Sequence, residues 1–185
     1  LTCLVSALVQ SMGCLTRLSN MKNSLIILTF FFIFTATASA ASPKTVMVFG
    51  DSLSANYGIP TEAGWVALLT QRLQSKFANY QIINASISGE TTLGGRNRIE
   101  QALENHHPEI VILELGANDG LRGASIKSIY ENLEAIIKKC QQNNVLVLLA
   151  GMQLPPNYGI TYTQKFQAIF PRLAENYQIK LIPFL

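Results

Sequence analysis

The chain has 185 residues, 49% of them apolar and 14% charged, with 14 basic against 11 acidic side chains and a formal charge of +3. That length allows one domain with a real core and is short for two, and a charge so near balance gives no electrostatic case for nucleic acid. With no Walker loop, dinucleotide fingerprint or clustered His/Cys spacing, neither nucleotide chemistry nor a metal site is indicated.

Residues 1–20 lie upstream of Met21, begin with Leu1 and carry no acidic residue, so they read as translated leader outside the fold. Ser11-Met12-Gly13-Cys14 matches a lipoprotein cleavage site poorly, because Ser11 stands where an aliphatic residue is needed. Met21-Lys22, the apolar run Leu25 to Phe34 and the small residues ending Ala38-Ser39-Ala40 form the three regions of a secretory signal peptide, with cleavage expected after Ala40. A membrane anchor would need about 20 apolar residues, whereas Thr35 to Ala40 is already small and semi-polar. The expected mature chain, 41–185, carries 12 basic and 11 acidic residues, a formal charge of +1. A periplasmic or secreted location with no membrane span after cleavage follows. Cys3 and Cys14 fall in the leader, which leaves Cys140 alone and excludes an internal disulfide.

From Thr45 onward, apolar runs recur at Thr45–Phe49, Gln81–Ala85, Ile110–Leu115, Val145–Ala150 and Ile179–Phe184. They are continuous, which predicts parallel strands buried on both faces. Between them Trp65, Leu68, Leu69 and Leu73 recur at helical spacing, as do Ile126, Ile129, Tyr130, Leu133, Ile136, Ile137 and Cys140. These are expected core faces of crossover helices, with Cys140 a packing residue. The rhythm predicts an α/β domain, a doubly wound parallel sheet flanked by helices over 41–185. Ligands of such sheets bind beyond the carboxyl ends of the strands.

Those ends carry three polar, glycine-bearing turns. They are Gly50-Asp51-Ser52-Leu53-Ser54, Asn84-Ala85-Ser86-Ile87-Ser88-Gly89-Glu90 and Gly116-Ala117-Asn118-Asp119-Gly120. Gly-Asp-Ser by itself is weak, since Asp51 or Ser52 at the start of a following helix would serve equally as a cap. Together the three turns hold what acyl transfer needs. A serine hydroxyl can attack a carbonyl, and the N–H groups of Ser52 and Gly89 with the Asn118 amide can meet the developing oxyanion. Asp51 is expected to hold the serine turn and Asp119 to cap or brace its own. Glu90 and the pair Arg96 and Arg98 read as solvated surface charges.

Gly50-Asp51-Ser52-Leu53-Ser54-Ala55, Asn84-Ala85-Ser86-Ile87-Ser88-Gly89, Glu114-Leu115-Gly116-Ala117-Asn118-Asp119-Gly120-Leu121-Arg122-Gly123 and Leu154-Pro155-Pro156-Asn157-Tyr158-Gly159 resemble the SGNH (GDSL) hydrolases, and within them the small secreted esterases, thioesterases, arylesterases and lysophospholipases. The resemblance implies a flavodoxin-like order for the sheet, Ser52 as nucleophile, and Gly89 and Asn118 completing the oxyanion hole. It also implies a mobile acyl-chain loop bearing Leu154, Pro155, Asn157 and Tyr158. The family carries in addition a late Asp-x-x-His pair. This chain has two aspartates, Asp51 and Asp119, followed three residues later by Ser54 and Arg122, so the pair is absent. The expectation is a domain truncated at its carboxyl end. His106 and His107 precede a strand instead of following one, too far from the site for a base that must come within about 3 Å.

The function expected is a serine esterase or thioesterase acting on acyl thioesters, lysophospholipids or simple esters through an acyl-enzyme, with no metal or organic cofactor and impaired in this chain. Two alternatives stand beside it: a carbohydrate deacetylase of the same family, and a non-catalytic module binding acyl lipids.

Overall fold

The computed structural model describes residues 43–185; the segments expected to be leader and signal peptide lie outside them. Five strands, β1 (Lys44–Gly50), β2 (Tyr80–Asn84), β3 (Ile110–Glu114), β4 (Leu146–Ala150) and β5 (Lys180–Ile182), form one sheet in the order β2-β1-β3-β4-β5. All pairings are parallel. Each strand falls within one residue of its expected start, and β5 ends early because Pro183 has no N–H to continue the ladder.

Alternation along the strands sorts the core into two layers. Met47, Phe49, Val111, Leu113 and Leu149 point to one side, where they meet α2 (Thr92–His106), α4 (Ile126–Gln142) and α6 (Ile169–Tyr177). On α4, Ile129, Leu133, Ile136, Ile137 and Cys140 form the expected stripe and are fully buried; each large aliphatic there contributes about 1.5–3 kcal/mol. Burial pushes the Cys140 thiol up to about 12, which makes it inert packing. Val46, Val48 and Ile112 point to the other side and meet Val66 of α1 (Trp65–Lys76). That layer is thinner: Leu68 on α1 is 53% exposed, against the expectation that it packs, and Leu146 on β4 is 69% exposed. The apolar spacing of α1 is real, but its buried stripe is narrower than the sequence implies.

The remaining helices are short: α3 (Ala117–Leu121) directly after β3, and α5 (Ile160–Gln167) before α6. Because β1 leads outward to β2 while β3 lies on its other flank, the chain direction diverges between β1 and β3. This is the topological switch point at which open parallel sheets bind ligands.

Candidate active site

The serine turn lies at that switch point. No helix follows Ser52. The chain instead makes consecutive turns through Gly58, with the Ala55 N–H donating to Asp51 O at 2.9 Å and the Tyr57 N–H to Ser52 O at 3.3 Å. The first α-helix waits until Trp65, which removes the expectation that Ser52 starts one and with it the capping role. Asp51 is fully buried. Its Oδ1 accepts the Leu53 N–H at 3.0 Å, folding the turn on itself, and its Oδ2 accepts Asn118 Nδ2 at 3.0 Å. Among the described residues, neither the Ser52 hydroxyl nor its N–H has a hydrogen-bond partner.

The second turn is tied to the first. Ile87 N–H donates to Gly50 O at 3.0 Å, and Asn84 Nδ2 donates to Ser54 O at 2.8 Å. Gly89 has φ +80°, a conformation other residues adopt at a cost of about 1–2 kcal/mol. A Cβ added there would meet nothing within 4 Å, so the glycine answers to the backbone and leaves the space above it open.

Asn118, in the first turn of α3, joins all three. Besides Asp51, its amide donates to the backbone O of Glu90 at 2.9 Å. Both of its hydrogens are thereby engaged. Asp119 does not brace its own turn: its two oxygens accept the Thr92 N–H at 2.8 Å and the Thr92 hydroxyl at 2.6 Å, pinning the start of α2. Asn132 of α4 adds a bond to the same hydroxyl at 3.2 Å.

Two expected surface charges are not solvated. Glu90 pairs with Arg98 Nε at 2.6 Å, its side chain only 12% exposed, and the Arg98 guanidinium lies 3.8 Å from the centre of the Phe49 ring. Arg96 reaches Asn132 at 3.3 Å. Glu114, to which the sequence reading gave no role, is fully buried at the end of β3. Its Oε2 accepts the Asp51 N–H at 3.2 Å and the Ser54 hydroxyl at 2.6 Å, while Oε1 has no partner among the described residues. Desolvation, with the Asp51 charge behind it, pushes this carboxyl up to about 7. Desolvation also raises Asp51.

Of the loop after β4, Leu154 turns into the core, where a Cβ on Gly120 would lie 2.7 Å from its Cδ2. Pro155, Asn157 and Tyr158 are exposed. His106 ends α2 and His107 adopts a left-handed cap before β3, so both sit at the amino edge of the sheet, opposite Ser52. Among the described residues, no group of three or more His, Cys, Asp or Glu is placed to hold a metal. A groove of about 640 Å³ lined by α4, α5 and α6 includes none of the strand-end residues. Volume alone does not locate the chemistry here.

A serine left unengaged at the switch point of a parallel sheet, beside a glycine loop and an asparagine amide, marks the class of serine-type ester hydrolases. Residues 48–185 match the GDSL-like Lipase/Acylhydrolase family. The chain is 44% identical over 160 residues to an arylesterase of Vibrio mimicus, covering 86% of this chain and 79% of that one. It is 41% identical over 157 residues to thioesterase 1/protease 1/lysophospholipase L1 of Escherichia coli (strain K12), covering 85% and 74%. The crystal structure of AlinE4, an SGNH-hydrolase family esterase, superposes with a TM-score of 0.74 at 42% identity, covering 79% of this chain and 78% of that one. The chain belongs to the GDSL-like lipase/acylhydrolase family.

Proposed function

We propose that this protein is a serine esterase or thioesterase in which Ser52 attacks the carbonyl of an acyl ester or acyl thioester, the C–O or C–S bond breaks to release the alcohol or thiol, which takes up the proton lost by Ser52, and water then hydrolyses the acyl-enzyme. The observation that carries the reading is the junction at Asn118, where one amide ties the serine turn to the Gly89 loop beside a serine whose hydroxyl has no partner among the described residues. In the attack, the Ser52 oxygen bonds to the carbonyl carbon and its proton passes to a base as the carbonyl electrons move onto oxygen. Among the described residues neither the Ser52 nor the Gly89 N–H has a partner, which leaves both to receive that oxyanion. Asn118 joins them by sharing a hydrogen now given to Glu90 O or Asp51.

The base in this reading is the histidine of an Asp-x-x-His pair, which residues 43–185 do not contain. Relatives named arylesterase and thioesterase 1/protease 1/lysophospholipase L1 support acyl esters and thioesters as the substrate class. Exposed Pro155, Asn157 and Tyr158 are then the residues an acyl chain meets, with Leu154 supporting them from below. The signal-peptide pattern of residues 21–40 supports a periplasmic or secreted location; among the described residues no helix is long and apolar enough to cross a membrane. The test is hydrolysis of a p-nitrophenyl ester and an acyl thioester by the chain joined after Leu185 to an Asp-x-x-His segment and by its Ser52→Ala variant. Turnover present in the first and absent in the second is expected. Equal turnover in both would remove Ser52 from the reaction.

A further inference from the structure

We propose that Glu114 is a positioning residue for the nucleophile turn, its Oε2 fixing the residue before Ser52 and the residue two after it to the end of β3. The inference rests on Ser52 being the nucleophile. Three members of the Gly-Asp-Ser-x-Ser stretch are arranged around that one oxygen. Asp51 offers its N–H at 3.2 Å and Ser54 its hydroxyl at 2.6 Å. Gly50 lies opposite Glu114 in the β1–β3 register, and a Cβ there would collide with Oε2 and stand 2.9 Å from Ser54 Oγ. Gly50 is therefore glycine because the carboxyl occupies the place of its side chain. Asp51, in turn, holds Leu53 and Asn118. The Ser52 carbonyl helps close the turn by accepting the Tyr57 N–H, while its side chain is the one the turn presents.

A buried carboxyl is a costly way to fill that position. Taking an ionised group out of water costs several kcal/mol, and the face it shares with Val48 and Ile112 is otherwise apolar. Its second oxygen is buried with no partner among the described residues. An aliphatic side chain would pack there without either penalty but would leave the Asp51 N–H and the Ser54 hydroxyl unsatisfied. Glu114 also faces the charge of Asp51 across the turn, and together with burial this keeps its proton bound to near neutrality. An environment that distorts a carboxyl in this way, directly beneath a reactive residue, is typical of functional sites. Since a displacement of about 1 Å can cost about 10²-fold in rate, a clamp on the residue before the nucleophile and the one two after it bears directly on attack.

The experiment measures the rate at which a fluorophosphonate modifies Ser52 in the full chain joined after Leu185 to an Asp-x-x-His segment, followed by intact mass, for the parent sequence (wild type), Glu114→Gln, Glu114→Ala, Ser54→Ala and the Ser54→Ala/Glu114→Ala double variant. Glutamine keeps an acceptor oxygen in place, so E114Q is expected within about 3-fold of wild type. E114A is expected to fall by about 10²-fold. S54A, which removes one of the two clamped donors and is the variant to read should E114A fail to fold, is expected to slow modification by about 10-fold. The double variant should be no slower than E114A, because both changes break one clamp. E114A or S54A reacting at the wild-type rate would overturn the inference, as would E114Q falling as far as E114A. No Ser52 modification in any variant, wild type included, would instead count against Ser52 as nucleophile.

Discussion

Asn118 is the residue on which the site turns, because its amide is at once a brace and a candidate donor. Its two hydrogens go to Asp51 Oδ2 and Glu90 O, so an oxyanion must share one of them. Asn118→Ala is expected to lower kcat by about 10²–10³-fold with a smaller change in KM. An unchanged kcat would leave the residue as a brace only. That Ser52, Gly89 and Asn118 stand on adjacent turns was legible in the sequence, because each lies in a short polar stretch at a strand end. Glu114 was not, since a glutamate closing an apolar strand looks like any edge charge, and its partners lie 60 and 63 residues away. Glu90 was misread for the same reason. Its partner Arg98 is eight residues on, across a turn and into a helix, beyond the i, i+4 spacing that sequence reveals.

Among the elements, α2 carries the largest unexpected dependence. Its first residue, Thr92, is held through N–H and hydroxyl by Asp119 from α3, so the helix start and the Asn118 turn form one unit. Asp119→Ala leaves a buried N–H and hydroxyl short of partners and is expected to cost about 1–3 kcal/mol in urea unfolding; a smaller loss would show that Asn132 and water replace it. Glu114 sets a second expectation at this scale. Its folded value is raised from 4.5 to about 7, so the folded state binds more protons than the unfolded one across that window, and stability falls as pH rises through it. Glu114→Gln abolishes this slope. The stability of E114Q relative to wild type should therefore increase between pH 5 and pH 8, by on the order of 3 kcal/mol; a difference independent of pH would contradict the assignment. The strands were legible because doubly covered parallel strands are apolar throughout. The stretch after Ser52 was not. Its polar and glycine residues fit a capped helix as well as a run of turns, and only the Asp51 and Glu114 contacts decide between them.

At the scale of the molecule, strand order is what turns three separate loops into one site. The order β2-β1-β3 makes the serine, glycine and asparagine turns neighbours, although up to 66 residues separate them in sequence. The alternation of strands and helices implied that sheet, and the rule for ligand sites in such sheets located the edge. It did not reveal the thin layer over Val48 and Ile112, because apolar spacing records which residues can be buried and not what covers them. In the proposed function the base comes from an Asp-x-x-His pair. Joining such a segment after Leu185 is therefore expected to raise Ser52-dependent ester turnover at least about 10³-fold over residues 41–185. Equal rates would direct attention to His106 and His107. Whether Ser52 is the nucleophile is decided by treating the chain so extended with a fluorophosphonate and mapping the peptide that carries the adduct. A single adduct on Ser52, lost together with turnover in Ser52→Ala, is expected. An adduct on another residue, or turnover that survives Ser52→Ala, would contradict it.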